Sequence, residues 1–110
     1  MGPEKTRMTR VYEVQKPEYA NLTVRVVESA AVADLLVYRN DQFVSQANAE
    51  AIWCFVKGRE TAHMSIFFPP HGQDAMLRIA WVKTPSLAGW MRHHKLRGRM
   101  TRRYPERVLS

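Results

Sequence analysis

Six short runs of apolar and aromatic residues recur along the chain: VYEV (11–14), LTVRVV (22–27), LLVY (35–38), IWCFV (52–56), MSIFF (64–68) and LRIAWV (77–82). They are rich in Val, Ile, Tyr, Phe and Trp, the residues that suit a half-buried pleated surface, so each run predicts a strand. Polar stretches separate them, and each stretch closes on an alanine: KPEYA, ESAAVA, QFVSQA, GRETA, HGQDA and TPSLA. The alanines Ala20, Ala33, Ala47, Ala62, Ala75 and Ala88 stand 13, 14, 15, 13 and 13 residues apart. A fixed period of this kind points to a repeat architecture.

Only five or six residues lie between most runs and their alanine, enough for one turn of helix. Glu28, Ser29 and Thr84 suit a helix start, and Pro85 suits a first helical position. The alanine is then the small residue at which the turn presses on a neighbouring strand, where a larger side chain forces the layers apart. The unit is a short strand plus a helical turn, repeated six times, with the segment from Gly89 as a seventh element. Ordinary parallel crossovers need a dozen or more residues. These connections are shorter, so the strands must step tightly around a common core, as a closed ring or a solenoid. The competing architecture is a small antiparallel barrel or α+β domain with alanines spaced by chance. The fold class expected is therefore α/β, a compact closed array of about seven repeats of 13 to 15 residues.

The motifs YAN (19–21), VAD (32–34) and QAN (46–48), with the closing LAGWMRHHKLRGRM, carry a family likeness. Over roughly residues 10 to 100 the chain resembles a small family of bacterial type. Its members are built from degenerate strand and turn repeats that end in Ala-Gly-Trp and a basic stretch with His-Lys-Leu. The resemblance implies a chain tied in a deep seven-crossing torus knot, the septoil topology. It implies no activity, ligand or catalytic residue. This sequence departs from the pattern in RNDQFVSQANAEA, in the Pro69-Pro70 pair and after Met100.

With 110 residues, 45% of them apolar and 25% charged, the chain has the makings of one soluble globular domain. No apolar run approaches the roughly 20 residues of a membrane helix, and MGPEKTRMTR has no signal-peptide core, so the expected location is cytoplasmic. The single Cys54 excludes an internal disulfide and a CxxC site, and its aromatic neighbours suggest a small buried apolar residue. Charge alters the picture more. Residues 1–90 hold ten Lys/Arg and nine Asp/Glu, a net of +1, whereas residues 91–110 hold seven and one, a net of +6. The expected division is a flexible N-terminal segment (1–9), a repeat domain (10–96) and a basic C-terminal tail (97–110).

Candidate chemistry follows the charge. Arg92, His93, Lys95, Arg97, Arg99, Arg102, Arg103 and Arg107 form a candidate RNA- or DNA-binding arm, since arginine gives bidentate phosphate contacts. Tyr104 and a flexible-looking Gly98 fit such an arm. Gly89 and Trp90 read first as structure, a left-handed cap and a plug for the end of the ring. His93 and His94 beside Arg92 and Lys95 could in principle act as base and acid in metal-independent RNA cleavage, but no catalytic residue is assigned. No His/Cys/Asp spacing resembles a metal site, no cofactor fingerprint is present, His71 sits in a PPHG turn, and His63 takes the place of Asp or Asn after its alanine. The leading expectation is a non-enzymatic nucleic-acid-binding accessory protein, with monomer slightly favoured. The alternative is a structural module with a persistent fold and an unknown protein partner; an anionic membrane surface ranks lower because the tail has little to insert.

Overall fold

The structure, a computed structural model, describes residues 8–40, 49–70 and 73–99. The expectations for residues 1–7, Ala47, His71, Arg102, Arg103, Tyr104 and Arg107 lie outside the described residues. Seven strands form among those described: β1 (Thr9–Glu13), β2 (Leu22–Val26), β3 (Leu35–Arg39), β4 (Ile52–Phe55), β5 (Met64–Phe67), β6 (Leu77–Val82) and β7 (Gly89–Trp90). The first six match the six apolar runs to within two residues. β1 begins at Thr9, with Met8 and Thr9 already buried.

The helical part of the expected α/β unit is a single turn, as expected, but it is 3-10 and not α, so the α/β label holds only in part. No α-helix occurs among the described residues, only five 3-10 turns of three residues each: η1 (Pro17–Tyr19), η2 (Ala30–Val32), η3 (Ala49–Ala51), η4 (Arg59–Thr61) and η5 (Pro85–Leu87). Connector length is the reason. Glu13 and Leu22 both stand opposite Ile66, so residues 14–21 arch over one strand between points two strand spacings, about 10 Å, apart. Val14 and Asn21 are themselves tied to that strand, which leaves residues 15–20 to rise, turn and come down. That is room for one three-residue turn and not for a helix of several turns. Proline opens η1 and η5, and the Ser29 hydroxyl accepts from the Ala31 N–H at the start of η2.

Strand order around the sheet is β4-β1-β5-β2-β6-β3-β7. Pairing of β3 with β4 closes six parallel strands into a barrel, and β7 lies antiparallel on β3. One edge of β3 is shared: Leu35 and Leu36 face β7, whereas Tyr38 and Arg39 face β4. Counted as seven places, every step of the chain advances two places, so the six steps from β1 to β7 make almost two circuits. The described connectors after β1, β2, β4 and β6 each hop over one strand.

Those hops are stitched down at both ends. Over β5, Val14 and Asn21 donate their N–H groups to the carbonyls of Ile66 and Ser65. Over β6, Val27 and Asp34 donate to Ile79 and Arg78; over β1, Val56 and His63 donate to Val11 and Arg10. The second stitch is doubled by a side chain. Asn21 Oδ1 accepts the Ser65 N–H at 2.8 Å, Asp34 Oδ2 that of Arg78 at 2.9 Å, and His63 Nδ1 that of Arg10 at 2.9 Å. Each polar residue mimics a strand partner, and all three are buried. At β6 the arrangement inverts: the position holds Met76, whose N–H goes to the Thr23 hydroxyl at 3.0 Å.

Alanine precedes each clasp because the connector comes down directly against the skipped strand. Ala20, Ala33, Ala62 and Ala88 are buried and each caps a 3-10 turn. Ala75 is only half-buried, with no 3-10 turn before it among the described residues. In the insertion-bearing third block the turn falls at η3, and the buried alanine there is Ala51. Inside the ring, Val11, Leu22, Val24, Leu35, Val37, Met64, Ile66, Leu77 and Ile79 alternate inward, are almost wholly buried, and fill the barrel. Cys54 is half-buried. No helix among the described residues is long and apolar enough to cross a membrane.

Candidate nucleic-acid interface

The segment after β7 folds back over the end of the barrel at which the strands begin. Trp90 sits half-buried there, its Nε1–H donating to Glu50 Oε1 at 2.9 Å and its ring stacked on His94 with centroids 5.5 Å apart. Gly89 is not a left-handed cap: its φ of 156° is close to extended, and it pairs with Leu36 as the first residue of β7. His94 is fully engaged. Its Nδ1 accepts the Leu96 N–H at 3.1 Å, so the ring proton lies on Nε2, which donates to the Met76 carbonyl at 3.1 Å. Leu96 is buried against the core cluster.

Residues 95–99 form a turn held by this anchoring. Gly98, expected to be flexible, is instead the residue that permits the turn: its φ is +87°, and its N–H donates to Glu50 Oε1 at 2.9 Å. Glu50 Oε1 thus receives both Trp90 and Gly98. Lys95, Arg97 and Arg99 are carried on the turn with their side chains exposed. His93 is exposed as well and does not join His94, whose ring lies under Trp90, in an open pair.

Arg92 behaves differently from the rest of the arm. Its Nη2 donates to the Ala31 carbonyl at 2.7 Å and its Nε lies 3.9 Å from Asp34 Oδ1. Arg78 reaches the same carboxylate at 3.7 Å, and Arg25 is the register partner of Arg78 across β2 and β6. Arg25 on β2, Arg78 on β6 and Arg92, two residues past β7, therefore make a band of cations centred on Asp34. Arg10 and Arg59 belong to another arc. They donate to the Thr61 and Tyr19 carbonyls, at 2.6 and 2.7 Å, beside β1, β5 and β2. Among the described residues no group of three or more His, Cys, Asp or Glu is placed to hold a metal ion.

The clasps formed by Asn21 and Asp34 escaped the sequence reading as interactions, although the Ala-Asn and Ala-Asp dipeptides marked their positions; for His63 the sequence suggests a hydrogen bond to a turn, and the structure gives one to the Arg10 N–H of β1. The role of Glu50 as the tether of the basic turn had no signal, because its partners stand 40 and 48 residues away.

A family model described as the 7(1) septoil knot domain matches residues 8–91. No curated protein and no solved structure gives a match.

Proposed function

The chain belongs to the septoil knot domain family, and from that premise we propose that it is a nucleic-acid-binding accessory protein whose threaded barrel is a scaffold for a basic C-terminal arm. One observation carries the reading: Lys95, Arg97 and Arg99 project from a turn pinned by Leu96, Gly98 and Glu50. Cations held by the body lose less conformational freedom on meeting phosphate than the same cations on a free chain. Arg102, Arg103 and Arg107 follow directly in sequence and bring the last twenty residues to a net of +6. The role is binding, not catalysis, and Arg25 and Arg78 extend the phosphate track onto the barrel wall.

Fluorescence anisotropy with labelled RNA and DNA tests this on the full chain. The comparison variant carries Lys95→Gln, Arg97→Gln, Arg99→Gln, Arg102→Gln, Arg103→Gln and Arg107→Gln, leaving Arg92 to its contacts with Ala31 and Asp34. Binding should fall steeply with salt, the log-log slope losing about 0.7 to 0.9 for each cation that meets a phosphate. Equal binding by the two proteins would end the reading.

A second reading has its own support in the strand order. A chain that advances two places of seven at every step winds as a seven-crossing torus knot does, so we infer that the barrel is deeply threaded. Unfolding then has to unthread as well as unpack, which makes kinetic persistence the useful property and a protein partner the object.

A further inference from the structure

Both ring nitrogens of His94 are bonded to backbone. Its Nδ1 accepts the Leu96 N–H, two residues on, at 3.1 Å, and its Nε2–H donates to the Met76 carbonyl, also at 3.1 Å. The first bond is the one an asparagine makes in an Asx turn, with an imidazole nitrogen in place of the amide oxygen. It opens the turn over residues 95–99, which the Arg97 and Arg99 N–H groups continue by donating to the carbonyls of His94 and Leu96. An asparagine oxygen accepts at any pH. An imidazole nitrogen accepts only while the ring is neutral, and histidine is the side chain type that ordinarily changes charge between pH 5 and 8.

A second proton on this ring has one place to go, Nδ1, because Nε2 already carries the first. The new N–H then points at the Leu96 N–H, and a hydrogen bond becomes one donor facing another. Among the described residues, the charged groups facing the ring lie on its Nε2 side. Asp34, just before β3, places Oδ2 3.8 Å from Nε2, while Arg78 of β6 and Arg92 beyond β7 reach the same carboxylate at 3.7 and 3.9 Å. Trp90 stacks on the ring, and Glu50 of η3 holds the Trp90 Nε1–H and the Gly98 N–H. Lys95 is next in sequence and exposed. The Asp34 carboxylate thus attracts an imidazolium through Nε2, and the two guanidinium groups oppose it, but neither effect restores an acceptor for Leu96.

We propose that His94 is a proton-operated latch on the basic turn. Neutral, it holds Leu96, and with it the backbone that carries Lys95, Arg97 and Arg99. Charged, it keeps Met76 and Asp34 and lets the Leu96 N–H go, so the turn loosens while the barrel stays closed. Cations on a loosened turn lose more conformational freedom on meeting phosphate; that consequence rests on the nucleic-acid reading above, whereas the latch itself does not.

The test follows the isotope-labelled full chain by NMR from pH 8 to pH 5, with no nucleic acid present. Ring-nitrogen shifts of His94 report its tautomer and its second proton. Amide exchange is expressed as protection factors, since the exchange of free amides itself slows as pH falls. Protection at Leu96 should fall about tenfold as the second proton arrives. Val14 and Val56, whose N–H groups are stitched to Ile66 and Val11 across the barrel, should keep theirs. His94→Asn supplies an acceptor that does not titrate and should keep Leu96 protected throughout. Glu50→Gln and His93→Gln should leave the transition in place, which assigns it to His94 and not to the tether or to the exposed neighbouring ring. Two outcomes on the native chain overturn the proposal, whatever the folding of the variants. One is unchanged protection at Leu96 once the His94 ring has its second proton; the other is a ring that stays neutral down to pH 5. A fall at Leu96 matched at Val14 and Val56 also overturns it, because the barrel and not the turn would then be opening. The six-glutamine comparison above fails independently of this titration, which involves no nucleic acid.

Discussion

Replacing Asp34 separates two things its carboxylate does. It accepts the Arg78 N–H at 2.9 Å, and it faces Arg78 and Arg92 at 3.7 and 3.9 Å. Asp34→Ala leaves the Arg78 N–H without its acceptor, which costs about 1 to 3 kcal/mol. The two guanidinium contacts add little. Both are longer than a hydrogen bond and both cations are more than 40% exposed, so solvent screening limits each to at most about 1 kcal/mol. Asp34→Asn keeps an acceptor in the clasp, as Asn21 does opposite Ser65, and loses only the charge. The expected losses are therefore about 2 to 3 kcal/mol for alanine and less than about 1 kcal/mol for asparagine. At a urea slope of about 1 to 3 kcal/mol per molar, the alanine variant should unfold about 1 to 2 M earlier. Tryptophan fluorescence reports the transition, with samples held until the unfolding and refolding limbs coincide. Equal shifts for the two variants would refute the argument, since the charge and not the acceptor would then hold the connector to β6.

Other outcomes follow from the same geometry. His63→Asn restores the repeat's own clasp residue and should cost under about 1 kcal/mol, while His63→Leu strands the Arg10 N–H and should cost about 1 to 3 kcal/mol, both read from urea midpoints. Ala33→Leu should destabilise by about 1 to 3 kcal/mol through overpacking where η2 meets β6, measured the same way. Glu50→Ala should free the basic turn without opening the barrel, seen as faster hydrogen exchange at Gly98 and altered Trp90 emission, whereas Glu50→Gln should preserve both. Threading predicts unfolding in concentrated denaturant far slower than the seconds expected of an unthreaded domain, and a manual-mixing fluorescence trace decides it.

The strands were legible because their composition and spacing are local properties. LTVRVV and LRIAWV announce half-buried strands without any knowledge of their partners, and the alanine at the foot of each connector reveals the repeat. What the spacing withheld was the partner of each strand. A 13-residue step is compatible with a ring or a solenoid, and nothing local states that the connector after β1 passes over β5 and not beside it. The single helical turn was legible from connector length, but its kind was not: Pro85 and Ser29 mark a start equally well for an α or a 3-10 turn, and the few residues between the two stitches limit it to 3-10. In the basic segment the charges were plain, but Gly98 looked flexible because the carboxylate that holds it belongs to Glu50. The exposure of Trp81 was invisible for the opposite reason. Trp81 and Phe55 have the sequence signature of core strand residues, and only their place at the strand ends exposes them.

Parallel winding has a consequence for where function can sit. Since every strand points the same way, the residues that seal the hops, such as Asn21, Asp34 and His63, all gather toward the entry half of the barrel, beside the turns and the basic segment. Among the described residues the exit half has none of these side-chain clasps, and of its last inward residues Glu13, Val26, Arg39 and Trp81 are exposed, while Phe55 and Phe68 still pack on the core. Substitutions at the four exposed positions should change surface chemistry at small cost in stability, as expected of side chains outside the buried network. Arg39→Gln illustrates the point. It removes the cation above Phe55, worth about 0.5 to 1 kcal/mol at an exposed site, while the pairing of Arg39 with Trp53 through the backbone persists. The variant should therefore melt within a few degrees of the parent. A loss of more than about 10 °C would mean that the Arg39 side chain belongs to the fold and not to the surface.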